Sequence, residues 1–98
     1  MKVYLLIQET YGYWDNDYSV SITAFNSKQS AINYLAEVKE FLIRDALETI
    51  NCETTEELTE DNGVYVYEDY TDYFKVDIEE WGYECLYIEE KIIMEYSL

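Results

Sequence analysis

The spacing of hydrophobic positions changes twice along the chain, and those changes mark out its elements. Lys2 to Tyr11 (KVYLLIQETY) is an apolar run rich in Val, Tyr and Ile, the composition of a central strand. GYWDND follows with the Gly, Asn and Asp of a turn. In YSVSITAF, Tyr18, Val20, Ile22 and Ala24 alternate with Ser19, Ser21 and Thr23. A period of two predicts a half-buried strand that forms a hairpin with the first.

From Phe25 the period lengthens. Ala31, Leu35, Val38, Leu42, Ala46 and Ile50 recur at spacings of three and four, a single apolar stripe that predicts a helix from about Ser27 to Ile50. Asn26 or Ser27 can cap it by accepting from the free N–H groups of its first turn. Glu37, Lys39, Glu40, Arg44 and Glu48 fall largely off the stripe, and Glu40 with Arg44 makes an i,i+4 pair. NCETTEELTEDNG is polar and reads as a loop with one helical turn at TTEEL. GVYVYED reads as a short strand, YFKVDIEEW as another after a turn at Asp69 to Asp72, and YECLYIEEKIIMEY as the last, with an irregularity at Glu89-Glu90. The order ββα then βββ predicts an α+β domain, a mostly antiparallel sheet of four or five strands with the long helix on one face.

Composition adds a constraint that periodicity does not. The 98 residues suffice for one domain, spanning 1–98, and about half are hydrophobic, so the chain can fold despite its charge. That charge is 22 acidic residues against 6 basic ones, a net of −16. It is unevenly placed: Met1 to Ile50 holds 7 acids and 4 bases (−3), and Asn51 to Leu98 holds 15 and 2 (−13). Direct binding to nucleic acid needs a basic patch, and anionic membranes repel the same surface. Cations or basic protein surfaces are the partners that fit. Cys52 and Cys85 lie outside any CxxC pattern. No apolar run is long enough to cross a bilayer and no secretory n- and h-region is present, so the expectation is a cytoplasmic protein with two reduced thiols, Cys85 packed as a small hydrophobe.

Chemistry is sparse. Histidine is absent, glycines stand singly at Gly12, Gly63 and Gly82, and paired acids are too common to single out a catalytic couple. DNDY and TEDNG lack the alternating ligands and terminal Glu of a calcium loop. The expectation is a non-enzymatic protein with no cofactor and no metal.

The segment VYVYEDYTDYFKVDIEEW interleaves tyrosine with carboxylate. Residues two apart in a strand lie about 6.6 Å apart on one face. Phosphates advance about 3.4 Å per nucleotide along a DNA strand, so two steps give nearly the same interval. Glu68, Asp69, Asp72, Asp77, Glu79 and Glu80 could therefore imitate a phosphate backbone. Tyr67, Tyr70 and Tyr73 would add rigid contacts that stack on arginine. The bland reading is a solvated face with half-buried strand tyrosines at Tyr65, Tyr67 and Tyr73.

MKVYLLIQETY, FNSKQSAINYLAE and YECLYIEEKIIM together resemble a loose pattern among small acidic proteins of phages and mobile elements in low-GC bacteria. The resemblance covers roughly the first forty residues and the last fifteen. Some such proteins are anti-CRISPR or anti-restriction inhibitors that mimic DNA. That implies, as an expectation, occlusion of the basic groove of a host nucleic-acid-binding protein, foremost an RNA-guided CRISPR effector. No inhibitor-family motif is present, so no site is carried over. The alternative is a structural or self-associating module, a homodimer paired along the exposed Tyr65–Val66–Tyr67 strand.

Overall fold

The computed structural model describes residues 1–93, and the following statements concern those residues. Five strands and one long helix follow in the order β1 (Lys2–Gly12), β2 (Asp17–Phe25), α1 (Lys28–Ile50), β3 (Val64–Asp69), β4 (Tyr73–Ile78) and β5 (Gly82–Ile92). All neighbours pair antiparallel in the spatial order β2-β1-β5-β4-β3. The α+β architecture and the ββα then βββ order agree with the sequence reading. Met94, Glu95 and Tyr96, assigned to the last strand on sequence grounds, lie outside the described residues.

The helix begins where its capping residue dictates. Ser27 is extended (φ −132°, ψ 149°), and its side chain accepts from the Ser30 N–H at 3.1 Å. Asn51 ends the helix in the left-handed conformation, with its N–H and that of Cys52 closing on the last-turn carbonyls. The apolar stripe faces the sheet. Ala31, Leu35 and Ala46 are buried, and Val38, Leu42 and Ile50 pack beside them. Leu35 meets the fully buried Phe74 and Leu86 in a core that also takes Leu6, Leu58, Val64, Val76 and Ile78.

Four local expectations are corrected. The Glu40–Arg44 pair does not form; the Arg44 guanidinium lies 5.6 Å from the Phe41 ring centre instead. β5 runs without a register shift through Glu89 and Glu90, and the irregularity falls in β3 between Val64 and Val66. Glu79, Glu80 and Trp81 are not strand but the turn between β4 and β5. The fourth concerns β2, expected to be half-buried. Its only partner is β1, and Tyr18, Val20 and Ile22 are 54%, 47% and 60% exposed. Their row points away from α1, and on the helix side Ser19, Ser21 and Thr23 are exposed as well. One helix covers the centre of a five-stranded sheet and leaves this edge bare.

The polar loop of residues 51–63 holds two single-turn 3₁₀ helices, Thr55–Glu57 and Glu60–Asn62. The first fulfils the helical turn expected at TTEEL. Gly63 ends the second at φ 84°.

Candidate acidic-aromatic interface

Three loops meet at one end of the sheet, the end that carries Gly12 and Gly82. They are the β1–β2 turn, the β4–β5 turn, and the 3₁₀ turn that leads into β3. Backbone hydrogen bonds tie them together: the Tyr13 N–H donates to the Trp81 carbonyl at 3.0 Å, and the Glu79 N–H to the Gly63 carbonyl at 2.7 Å. Gly82, at φ 135°, lets β5 approach β1 so closely that a Cβ there would lie 1.8 Å from the Tyr11 carbonyl oxygen. The loops are therefore one stitched unit.

Their side chains carry one sign of charge. Asp15, Asp17, Glu60, Asp61, Glu79 and Glu80 are all exposed, and no Lys or Arg lies in those three segments. Between them stand Trp14 (75% exposed) and Trp81 (60%), which with Gly12, Asp15 and Glu80 line an open depression of about 340 Å³. Indole faces attract cations, and two carboxylates at the margin add to that attraction. The chemistry suits an arginine or lysine side chain. Among the described residues no three acidic or cysteine side chains converge as metal ligands would. The acids are spread out, which fits a broad charged surface better than an ion cage.

The tyrosines extend this rim onto the uncovered face of the sheet. The Tyr13 hydroxyl donates to Asp77 Oδ1 at 2.7 Å, and its pKa is pushed up to about 12, first by burial and then by that carboxylate. Tyr65 is also raised, by burial and by the nearby charges of Glu79, Asp77 and Glu80. Further along the same face, the Tyr87 hydroxyl donates to Glu9 at 2.9 Å, and its pKa rises to about 12, chiefly through that bond. Tyr11 stacks on Tyr83 at 5.8 Å, and the Lys75 ammonium lies 5.0 Å from the Tyr83 ring centre. A phenol that donates to a carboxylate stays protonated and fixes the direction of the charge beside it.

The structure divides the nine residues singled out in the sequence between two ends and two faces. Glu79 and Glu80 join the rim, and Asp77 is engaged beside it by Tyr13. Asp69, Tyr70 and Asp72 lie at the opposite end of β4, around the β3–β4 turn. There Asp69 is already occupied by Lys39 at 2.7 Å, an ion pair the sequence could not announce. Glu68 stands opposite Lys75 on β4, and Tyr73, half-buried, shares that face. Tyr67 turns to the helix side, edge-on to Phe74 at 6.0 Å, and donates to Asp69 at 3.3 Å. The single row of acids from Glu68 to Glu80 is thus not a row. Sequence reasoning missed Trp14, Asp15, Asp17, Glu60, Asp61 and Trp81 as a group. GYWDND and TEDNG carried the signal for all of these but Trp81, yet they read as a turn and a polar loop and otherwise only as candidate calcium loops.

No family model matches the chain, and no curated protein or solved structure is similar to it.

A further cavity, about 190 Å³, lies between the C-terminal half of α1 and the sheet. Thr10, Asp45, Thr49 and Glu84 supply its polar lining, amid Leu42, Ala46, Val76 and Ile78. Glu84 accepts from the Thr10 hydroxyl at 2.7 Å, and burial pushes its carboxyl above the usual range. This space is smaller than the several hundred Å³ typical of ligand pockets.

Proposed function

We propose that the protein is a non-enzymatic inhibitor that occupies the nucleic-acid groove of a host defence protein, foremost an RNA-guided CRISPR effector, by presenting carboxylates where DNA presents phosphates. The observation that carries this reading is the cation-free rim at the Gly82 end, six exposed acids from three stitched loops interleaved with exposed aromatics. A basic groove attracts such a surface from a distance, and arginines inside it find both carboxylates and indole or phenol faces. Backbone geometry lends further support. Glu80 holds its charge in the rim from a left-handed position (φ 69°) that ordinary side chains avoid, and strain of this kind collects at functional sites.

The rim, rather than the β3–β4 turn, is the surface to test. A guide-loaded effector is titrated with the protein, reading DNA cleavage and binding at low and physiological salt. Changing Glu60, Glu79 and Glu80 together to lysine is expected to slow association by about tenfold or more, the range over which charge steers encounter. The matching change at Glu68 and Asp72 is expected to have a smaller effect. Target DNA should compete with the protein, and binding should weaken as salt rises. Salt-independent binding that leaves DNA bound and survives the rim reversal would reduce these acids to a solvated face.

A further inference from the structure

A chain of net charge −16 has little reason to meet its own copy, except where it is neutral. Beyond Asp17 at its start, β2 carries no charged residue, and among the described residues it is the only strand of which this is true. It is also an edge strand of nine residues paired on one side only, so a row of backbone N–H and C=O groups is left without strand partners. Proteins usually blunt such edges with lysine, proline, a bulge or brevity. β3, the opposite edge, follows this practice: six residues, a bulge between Val64 and Val66, and the acids Glu68 and Asp69. β2 has none of these devices.

We propose that a second copy of the chain pairs with the first along β2, antiparallel and two-fold symmetric, so that two five-stranded sheets become one continuous sheet. A two-fold axis perpendicular to the sheet at Ser21 sets each residue opposite its complement. Val20 faces Ile22, Tyr18 faces Ala24 and Ser19 faces Thr23. Apolar side chains meet on the uncovered face and hydroxyls meet on the helix face, both favourable cross-strand combinations. The exposed row at Tyr18, Val20 and Ile22 then continues across the junction instead of ending at a bare edge.

Charge placement permits this contact. The two Asp17 residues would each stand opposite Phe25 of the other copy, eight residues apart along the strand, or about 26 Å at the usual rise. The acid-rich half of the chain supplies β3, β4 and β5, and β5, the nearest of them, is two strands from β2. That places it about 10 Å from the junction in each copy, beyond the Debye length of about 8 Å at physiological salt. The self-association expected along Tyr65–Val66–Tyr67 instead meets Glu68, Asp69 and Asp77 directly. This inference stands apart from the inhibitor reading.

Light scattering on the full chain tests it. A mass of twice 11.7 kDa is expected, with dimer favoured as salt rises. Ile22→Lys, at a side chain 60% exposed, should give a folded monomer, whereas Tyr65→Lys should leave the dimer intact. A crosslink fixes the geometry independently of stability. In a Cys52→Ser background, Ser21→Cys brings two thiols opposite each other at a Cα separation of about 4.5–5.5 Å, within disulfide range. Mild oxidation should then trap a covalent dimer. A monomer at every salt and protein concentration overturns the proposal. So does a dimer that Ser21→Cys cannot crosslink, because the copies would then meet through the open face or along β3.

Discussion

Glu80 offers a test in which stability and binding should move in opposite directions. Its φ of 69° places it in the left-handed region, where an L side chain crowds the following carbonyl. The other non-glycine residues there, among those described, are Asn16 (φ 54°) and Asn51 (φ 57°), whose short amides tolerate that conformation. Glutamate lacks that tolerance and carries a cost of about 1–2 kcal/mol, of which asparagine should remove roughly half. Replacing one of two adjacent exposed acids adds a few tenths of a kcal/mol of the same sign, in line with the modest worth of surface charge interactions (about 0–1 kcal/mol). Glu80→Asn is therefore expected to stabilise the domain by about 1 kcal/mol, which for a domain of this size raises Tm by about 4–8 °C. Glu79→Gln is the control, since it removes the same charge from a residue without a left-handed backbone. It should stay within about 0.5 kcal/mol of the unaltered protein. Urea unfolding with an unchanged m value would measure both. Partner binding, by the rim argument, should weaken in both variants. If Glu80→Asn gains no more stability than Glu79→Gln, strain at this turn is absent and its use as support for function falls.

Two further outcomes follow from the core and the cavity. Leu35→Asp puts an unpaired carboxylate at a fully buried position against Phe74 and Leu86, and it should unfold the domain; a cooperative, near wild-type melt would show that the α1 stripe does not face the sheet. Glu84 has a carboxyl pKa raised by burial, so its contribution to stability is full below the unfolded-state value near 4.5 and is lost as pH rises through the higher folded value. Glu84→Gln keeps an acceptor for the Thr10 hydroxyl and should stabilise the protein at neutral pH while flattening that part of the pH profile; an unchanged profile would place the ionised group in water.

Local signals were enough for the helix. Six apolar residues at spacings of three and four and a serine cap place α1 within one residue of its observed start, because every term acts within a turn or two. Strand alternation was equally legible, but it names two faces without saying which one is covered. Tyr18, Val20, Ile22 and Ala24 do share a face, as their period requires; that face is open because β2 lies at the edge and away from the single helix. The site was less legible for a related reason. Asp69 seemed free in the sequence, yet its partner Lys39 lies 30 residues earlier on α1. The rim draws on residues from three loops that only the β2-β1-β5-β4-β3 order brings together. That order depends on the pairing of β1 with β5, elements joined by no local turn.

The same topology separates the two surfaces that matter. The rim projects from the ends of the strands, whereas the neutral β2 edge runs along the side of the sheet. In an antiparallel β2 dimer the rims point in opposite directions, with the Asp17 residues about 26 Å apart by strand rise. At physiological salt that is about three Debye lengths, so neither rim senses the other and rim reversal should leave the dimer unchanged. Conversely, Ile22→Lys introduces its charge near the middle of β2, away from Glu60, Glu79 and Glu80, and should leave steering toward a basic groove largely intact. A target whose binding is lost with Ile22→Lys but kept with the rim reversal would have to recognise the joined apolar face. The combination of that loss with that retention would move the function from the acids to the dimer.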